Sequence, residues 1–550
     1  MMILLKMLQQ KSKGFFVMLA LLGLINSIWG STLLLLINNK VTNTPLPFVD
    51  QYDWQIYTVL IVLSFVTSRY FQSYMIRLTY DLGNDLGLSI FDKLRFTNYE
   101  EYQKLGDEKV RTAVADVTTL QRFPQAFIES FNAVVMVAIG VIYLFYINLP
   151  GAALITGILG VLATLYYFRN MAVHQDMTTV RDLANIYQQN MNDFLRGFRE
   201  IKMSRDRSDN IFEHISVNRG RAKDLTVKTL IRHMGNELMG SYVWYLMIGI
   251  ILFMLPALLH AGQVVSSSFI VTLLYLMGPM SIIITEIREF TLMHIAVTRL
   301  EEFDKVVSAS RTIELGHGND PRADVGFQSI RFDNVTYEYY DEIRAETFRL
   351  LPLNLEIRKG ETIFITGGNG SGKSTFIHLL TGLYMPKSGH IYFNDECITP
   401  QTYPWYRDQL VAIHTDHCLF TENYDDFELN RNNARLMELL NKMRLTDIVT
   451  FNEQKNVIKA TLSKGQQKRL ALIYALMEEK EIIILDEWAA EQDPVFRAFF
   501  YKVLVPEMKA MGKTVIAVTH DDAYFDYAER VLRFDYGRVQ SDVRQPAMAV

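Results

Sequence analysis

Cysteine is almost missing from this 550-residue chain: Cys397 and Cys418 are the only two, too few for a disulfide framework or a cysteine-built zinc cluster. Both fall in the carboxyl half, read below as cytosolic, where spare reduced thiols are ordinary. A basic excess is lacking too. The formal charge of −5 argues against a nucleic-acid role that rests on phosphate neutralisation. A third shortage is local: charged residues all but vanish from several stretches before residue 290, although they make up 21% of the whole chain. With 49% hydrophobic residues, the two characters must be segregated along the chain, and its length implies more than one core.

The charge-poor stretches are apolar runs at 15–38, 54–75, 127–149, 151–168, 239–260 and 268–286. Each is near the roughly 20 residues that a helix needs to cross a bilayer. The segments at 39–53, 149–151 and 260–267 hold one cation, Lys40, whereas those at 77–126 and 169–238 hold many, among them Arg77, Lys93, Lys109, Arg196, Arg199, Lys202 and Arg205. An excess of Lys and Arg marks the cytosolic side. The two long segments are therefore cytosolic, as are the amino terminus with Lys6, Lys11 and Lys13 and, after six crossings, the carboxyl half. Few prolines and a helical apolar spacing in the long segments argue against disordered loops and predict membrane helices that continue as cytosolic stalks. Arg69, inside the second run, either snorkels to the cytosolic interface or lines a polar cavity. Gly278 and Pro279 predict a bend in the sixth run.

A polar stretch with three glycines and one proline, 308–326, reads as a linker between a membrane domain at 1–307 and a second domain at 327–550. From residue 327 short β-rich runs alternate with helical ones, the pattern of an α/β domain. The expected fold is thus a membrane α-helical domain of six transmembrane helices followed by an α/β P-loop NTPase domain. The motif Gly367, Gly368, Asn369, Gly370, Ser371, Gly372, Lys373, Ser374 stands between a strand-like run at 362–366 and a helical run that begins with Thr375. Its glycines let backbone N–H groups turn onto the phosphates of ATP, Lys373 reaches the β- and γ-phosphates, and Ser374 is a ligand for Mg²⁺. A buried strand at 482–485 ends in Asp486 and Glu487. Asp486 is then the second Mg²⁺ ligand, and Glu487 the general base that polarises the lytic water.

Between these elements, Leu462, Ser463, Lys464, Gly465, Gln466 resembles the signature motif of ABC ATPases, with Lys464 where a glycine is usual. The resemblance implies a homodimer with two ATP molecules sandwiched between subunits, Ser463, Gly465 and Gln466 closing the partner's site. It also implies that Tyr339 stacks on adenine, with Tyr337 as the alternative, that Asp493 belongs to the D-loop, and that His520 is the switch histidine near the γ-phosphate. One element departs from the family: before Leu419 and Phe420 stand His414, Thr415, Asp416, His417 and Cys418, so the glutamine that senses Mg²⁺ is missing. Asp416 or Thr415 offers an oxygen in its place. The two histidines there are too local for a zinc site.

The strings at 367–375, 462–469, 485–494 and 519–522 are together similar to the branch of bacterial ABC transporters that exports cyclic and modified peptides, including syringomycin-type lipopeptides, the pyoverdine siderophore precursor and microcin J25. That branch implies the bacterial inner membrane as location, with both termini cytosolic, membrane lipid around the helices, and a peptide or peptide-derived small molecule as cargo. Coupling helices are expected near 96–106 and 200–212. Lipid flipping is the alternative cargo reading, and a non-pumping regulatory subunit the alternative of another class.

Overall fold

The computed structural model describes residues 15–42, 52–259, 262–311, 326–341 and 346–545. The amino-terminal lysines, parts of the two outer segments and most of the expected linker lie outside the described residues. The chain divides into two units, Met1–Gly87 with Val114–Leu300, and Leu88–Ala113 with Glu301–Val550.

The first unit is built from long helices, Phe15–Thr42, Asp53–Leu94, Phe123–Ile147, Leu149–Arg196, Arg205–Gly249 and Gln263–Arg311. Among the described residues four helical runs, Trp54–Leu94, Tyr99–Ile147, Arg205–Ala257 and Gln263–Ser308, are long and apolar enough to cross a membrane, and Leu149–Leu162 is a shorter apolar helix. The helices run far past their apolar stretches, because the polar continuations keep good helix formers and meet no interior proline. A sharp reversal joins Phe123–Ile147 to Leu149–Arg196. Asn148 adopts an extended backbone there and accepts the Gly151 N–H at 2.8 Å, and Pro150 occupies the first turn, where its missing donor costs nothing.

Leu144, Ile155, Met247, Phe269 and Leu273 form a fully buried centre in this unit. Polar side chains cross-link it: Asn38, 2% exposed, donates to Tyr143 and to Ser268 Oγ at 3.2 Å, and Arg169 Nε donates to Asn236 Oδ1 at 2.9 Å. Such bonds fasten helices where surrounding lipid gives no hydrophobic drive to pack. The sixth run lies in one continuous helix, Gln263–Arg311, with Pro279 inside it. The fifth run carries a π-helical turn at Ile250–Met254 ahead of Pro256, which supplies no N–H to the preceding turn.

The bends between the long helices are local. In the first, Gly106 takes φ 75° and ψ 152° inside Tyr99–Gln121, a conformation that glycine adopts without strain. In the second, expected near 200–212, the short helix Phe198–Lys202 lies between Gly197 and Ser204, whose hydroxyl accepts the Arg207 N–H, and residues 205–212 are helical.

The second unit is α/β. Its strands are β1 Ser329–Asp341, β2 Glu346–Arg358, β3 Thr362–Gly367, β4 Ser388–Phe393, β5 Glu396–Cys397, β6 Leu410–Ile413, β7 Thr450–Asn452, β8 Val457–Lys459, β9 Ile482–Asp486, β10 Thr514–Val518, β11 Arg530–Asp535 and β12 Arg538–Arg544. They form an antiparallel sheet in the order β2-β1-β4-β5, a second sheet in the order β12-β11-β3-β10-β9-β6, and a β7-β8 hairpin. From β11 to β6 the second sheet is parallel, with β12 antiparallel at its edge.

The central strands read as unbroken apolar runs because both faces are covered. Ile363, Ile365, Ile482, Ile484, Ile516 and Val518 pack into one core, whereas Phe364, Ile483, Leu485, Val515 and Ala517 pack into the core on the opposite face. This alternation sets the register. It also brings the carboxyl ends of β3, β10, β9 and β6 to one edge, the usual ligand edge of a parallel sheet.

Candidate nucleotide site

Each motif leaves the sheet at that edge. The loop after β3 holds Gly367 at φ 151° and Gly372 at φ 106° before the helix Lys373–Leu380. A Cβ on Gly367 would stand 2.2 Å from the Phe534 carbonyl oxygen, so a side chain there is excluded by backbone. Lys373 Nζ donates to the carbonyls of Gly367 and Gly368 at 2.8 and 3.0 Å. Burial pushes its pKa down, and Glu487 and Asp486 pull it back up. Ser374 and Asn369 are exposed at the mouth, whereas Ser371 and Thr375 are buried under it.

β9 delivers Asp486, 8% exposed, and then Glu487 at φ 48° and ψ 37°, a left-handed turn that swings its side chain out. The Thr415 hydroxyl, just past β6, donates to Asp486 Oδ2 at 2.9 Å, while Asp416 is exposed. Of the two residues that could replace the missing glutamine, Thr415 is therefore the one joined to the acidic strand end. His520, after β10, places Nε2 3.3 Å from Glu487 Oε1. The oxygen donors here, a hydroxyl, a carboxylate and a threonine, suit a hard cation completed by water and phosphate. Among the described residues no cluster of three or more His, Cys, Asp or Glu could hold a metal by itself.

Tyr339 and Tyr337 differ sharply. Tyr337 is 1% exposed and stacked on Tyr384 at 4.8 Å, whereas Tyr339 is 41% exposed and leans on Phe348 across the strand pair. Phe348 in turn lies over Gly372, so an exposed aromatic edge sits beside the phosphate loop.

The signature helix Lys464–Met477 begins with a capping box: Ser463 accepts the Gln466 N–H, and Gln466 accepts the Ser463 N–H. Its first turn is bound to the segment after β9. Gln492, 4% exposed, donates to the Gly465 carbonyl at 3.0 Å and accepts from Arg469 Nε at 2.8 Å. Arg469 also pairs with Asp493, which caps the helix Pro494–Phe499.

Sequence reasoning did not single out the rings behind the site. Tyr99, in the first bend, lies 5.6 Å from the His378 ring on the phosphate-loop helix, and His378 lies 4.7 Å from Tyr384 and 5.7 Å from His414. Burial, helped by the neighbouring His414, brings the pKa of His378 down to about 4, so it is neutral near pH 7. Tyr384 donates to Gln103 at 2.6 Å, and Lys387 pairs with Glu100 at 3.1 Å. These residues belong to no short motif, so no local signal in the sequence marks them.

A P-loop ATPase joined in one chain to a bundle of membrane-length helices is the class of protein that this fold and site define. A family model described as ABC transporter matches residues 350–490. The ATP-binding protein SyrD of Pseudomonas syringae pv. syringae is 29% identical over 84% of this chain and 82% of its own length. The energy-coupling factor transporter ATP-binding protein EcfA2 of Acetivibrio thermocellus is 34% identical over 38% of this chain and 78% of its own length. A bacterial Atm1-family ABC exporter solved with ATP bound superposes with a TM-score of 0.72 at 16% identity, over 96% of this chain and 94% of that one. The chain belongs to the ABC transporter family. It has the ABC exporter fold, is a multi-pass membrane protein and a half-transporter, and couples ATP hydrolysis to transport.

Proposed function

We propose that this half-transporter exports a cyclic or modified peptide, such as a microcin, lipopeptide or siderophore precursor, across the bacterial inner membrane as a homodimer. The membrane domain is 1–307, the linker 308–326 and the ATPase 327–550, with both termini in the cytosol. ATP is held by the loop Gly367–Ser374 with Thr375 behind it, its adenine by Tyr339, and its γ-phosphate by Ser463, Gly465 and Gln466 of the second copy, beside Asp493. Mg²⁺ would be held by Ser374 and Asp486, with Thr415 rather than Asp416 fixing the carboxylate, and would neutralise phosphate charge. Glu487 takes the proton of the attacking water, and His520 orients it. ATP shifts the population between inward- and outward-facing states because it binds the closed pair better.

The observation that carries the catalytic part is the edge where Lys373, Asp486 with Thr415, and Glu487 with His520 converge. The peptide cargo is supported by the likeness to SyrD over most of the chain and by the motif strings. Coupling to the first bend is supported by the rings Tyr99, His378 and His414, which lead from that bend to the strand end beside Thr415. The test is ATP-dependent uptake of cyclic peptides and siderophore precursors into inside-out vesicles, wild type against Glu487→Gln. Uptake by the wild type alone supports the reading. ATP hydrolysis without uptake of any peptide refutes the cargo.

A further inference from the structure

Lys468 is a lysine where the helix pattern calls for an apolar residue. In Lys464–Met477 it shares the buried face with Leu472, Ala475 and Leu476, one, two and two turns on, and it is itself 1% exposed. A buried ammonium is costly unless an acceptor meets it. Its acceptor is the main chain of Glu487: Nζ donates to the Glu487 carbonyl oxygen at 2.9 Å. The link is returned one residue later, where the indole N–H of Trp488 donates to the Lys468 carbonyl at 2.7 Å. Trp488 is also 1% exposed, wedged against Phe500 at 4.6 Å.

These two bonds bracket a residue with a left-handed backbone. Glu487 stands at φ 48°, a region that non-glycine residues keep only when their surroundings over-determine it. Its N–H donates to the Val518 carbonyl at 3.2 Å, which fixes the peptide before its Cα, and Lys468 holds the peptide after it. A methionine would fill the same space but leave that carbonyl only the longer bond from the Ala490 N–H, at 3.3 Å.

We propose that Lys468 is the positioning residue of the Glu487 carboxylate, holding the left-handed turn that aims it along the sheet edge beside His520. This rests on the reading of Glu487 as the base. Because Lys468 lies just over one turn inside the helix headed by Ser463, movement of that helix is passed directly to Glu487. Engagement of the signature end by the second copy's nucleotide thereby sets the base of this copy's own site.

The experiment measures ATPase turnover against ATP concentration, with thermal melting, on the full-length protein in nanodiscs. It compares wild type, Lys468→Met, Lys468→Arg, Glu487→Gln and the Lys468→Met, Glu487→Gln double variant. Lys468→Met lowers kcat about tenfold or more, with KM for ATP within about twofold and an unchanged melting temperature, and Lys468→Arg recovers most of the rate. In the Glu487→Gln background, Lys468→Met causes no further loss, because the carboxylate it aims is gone. Lys468→Gln, which keeps a donor but stops short of the carbonyl, gives the same split if methionine prevents folding. The proposal is overturned by wild-type kcat in Lys468→Met, by a parallel change in KM and melting, or by an equal loss in the Glu487→Gln background. Wild-type turnover in Glu487→Gln removes the base assignment and the proposal with it.

Discussion

Gly465 is the place where one methyl group tests the signature motif. A Cβ added there would stand 2.7 Å from the Glu491 carbonyl oxygen, about 0.7 Å inside the 3.4 Å at which ordinary contact begins, and 3.4 Å from Gln492 Oε1. The obstacle is backbone, so a rotamer change cannot relieve it. The helix start must retreat from the segment after β9, stretching the Gln492–Gly465 bond, worth about 1 kcal/mol, and adding overpacking of about 1–3 kcal/mol. Against this, alanine is the better helix former by up to about 1 kcal/mol. The balance is about 1–3 kcal/mol. Since each 1.4 kcal/mol is about tenfold in rate, Gly465→Ala lowers turnover by about 5- to 150-fold if the signature end must keep its place to catalyse. The assay is ATPase turnover of the full-length protein, with thermal melting to separate a shifted helix from a lost domain. Wild-type turnover and melting in Gly465→Ala would refute the argument that this close approach positions the helix.

Three further outcomes follow from single contacts. Tyr339→Ala raises KM for ATP by about 5- to 150-fold, the worth of about 1–3 kcal/mol of base stacking, whereas Tyr337→Phe leaves KM unchanged because that ring is buried against Tyr384; equal effects would exclude Tyr339 as the adenine platform. Thr415→Val lowers turnover about tenfold and raises the Mg²⁺ requirement, since it removes a hydrogen bond to Asp486 carrying about 1.5 kcal/mol, while Asp416→Ala stays within about twofold in a Mg²⁺ titration. Arg530, 6% exposed, binds both oxygens of Asp542 at 2.7 Å and the Glu356 carbonyl at 2.6 Å, so Arg530→Met costs about 2–3 kcal/mol in chemical denaturation. The Arg530 hydrogen bond holds the Asp542 pKa below the ordinary aspartate value, so the pair stabilises the fold above about pH 4 and the benefit fades as pH falls through the lowered value. The gap between wild type and Arg530→Met therefore narrows on acidification; a constant gap would show that the carboxylate plays no part.

Local chemistry decided much of this protein. Bilayer-length apolar runs, the P-loop between a strand and a helix, and the strand ending in Asp486 and Glu487 are legible because each function needs particular residues at close spacing. The continuation of the helices beyond their apolar stretches followed in the same way from helical spacing and the scarcity of proline. Tertiary structure decided what depends on burial and on distant neighbours. Two tyrosines two residues apart are equivalent in sequence, and only the packing of Tyr337 on Tyr384 leaves Tyr339 at the surface. Thr415 and Asp416 both offer oxygen, and only the side-by-side pairing of β6 and β9 brings the threonine to Asp486. Lys468 reads as one more cation, and its partner, 19 residues on, is a carbonyl that any residue could present. A backbone acceptor leaves no mark in a sequence. The parallel sheet collects such groups at one edge, and that is a property of topology, which no local run of residues encodes.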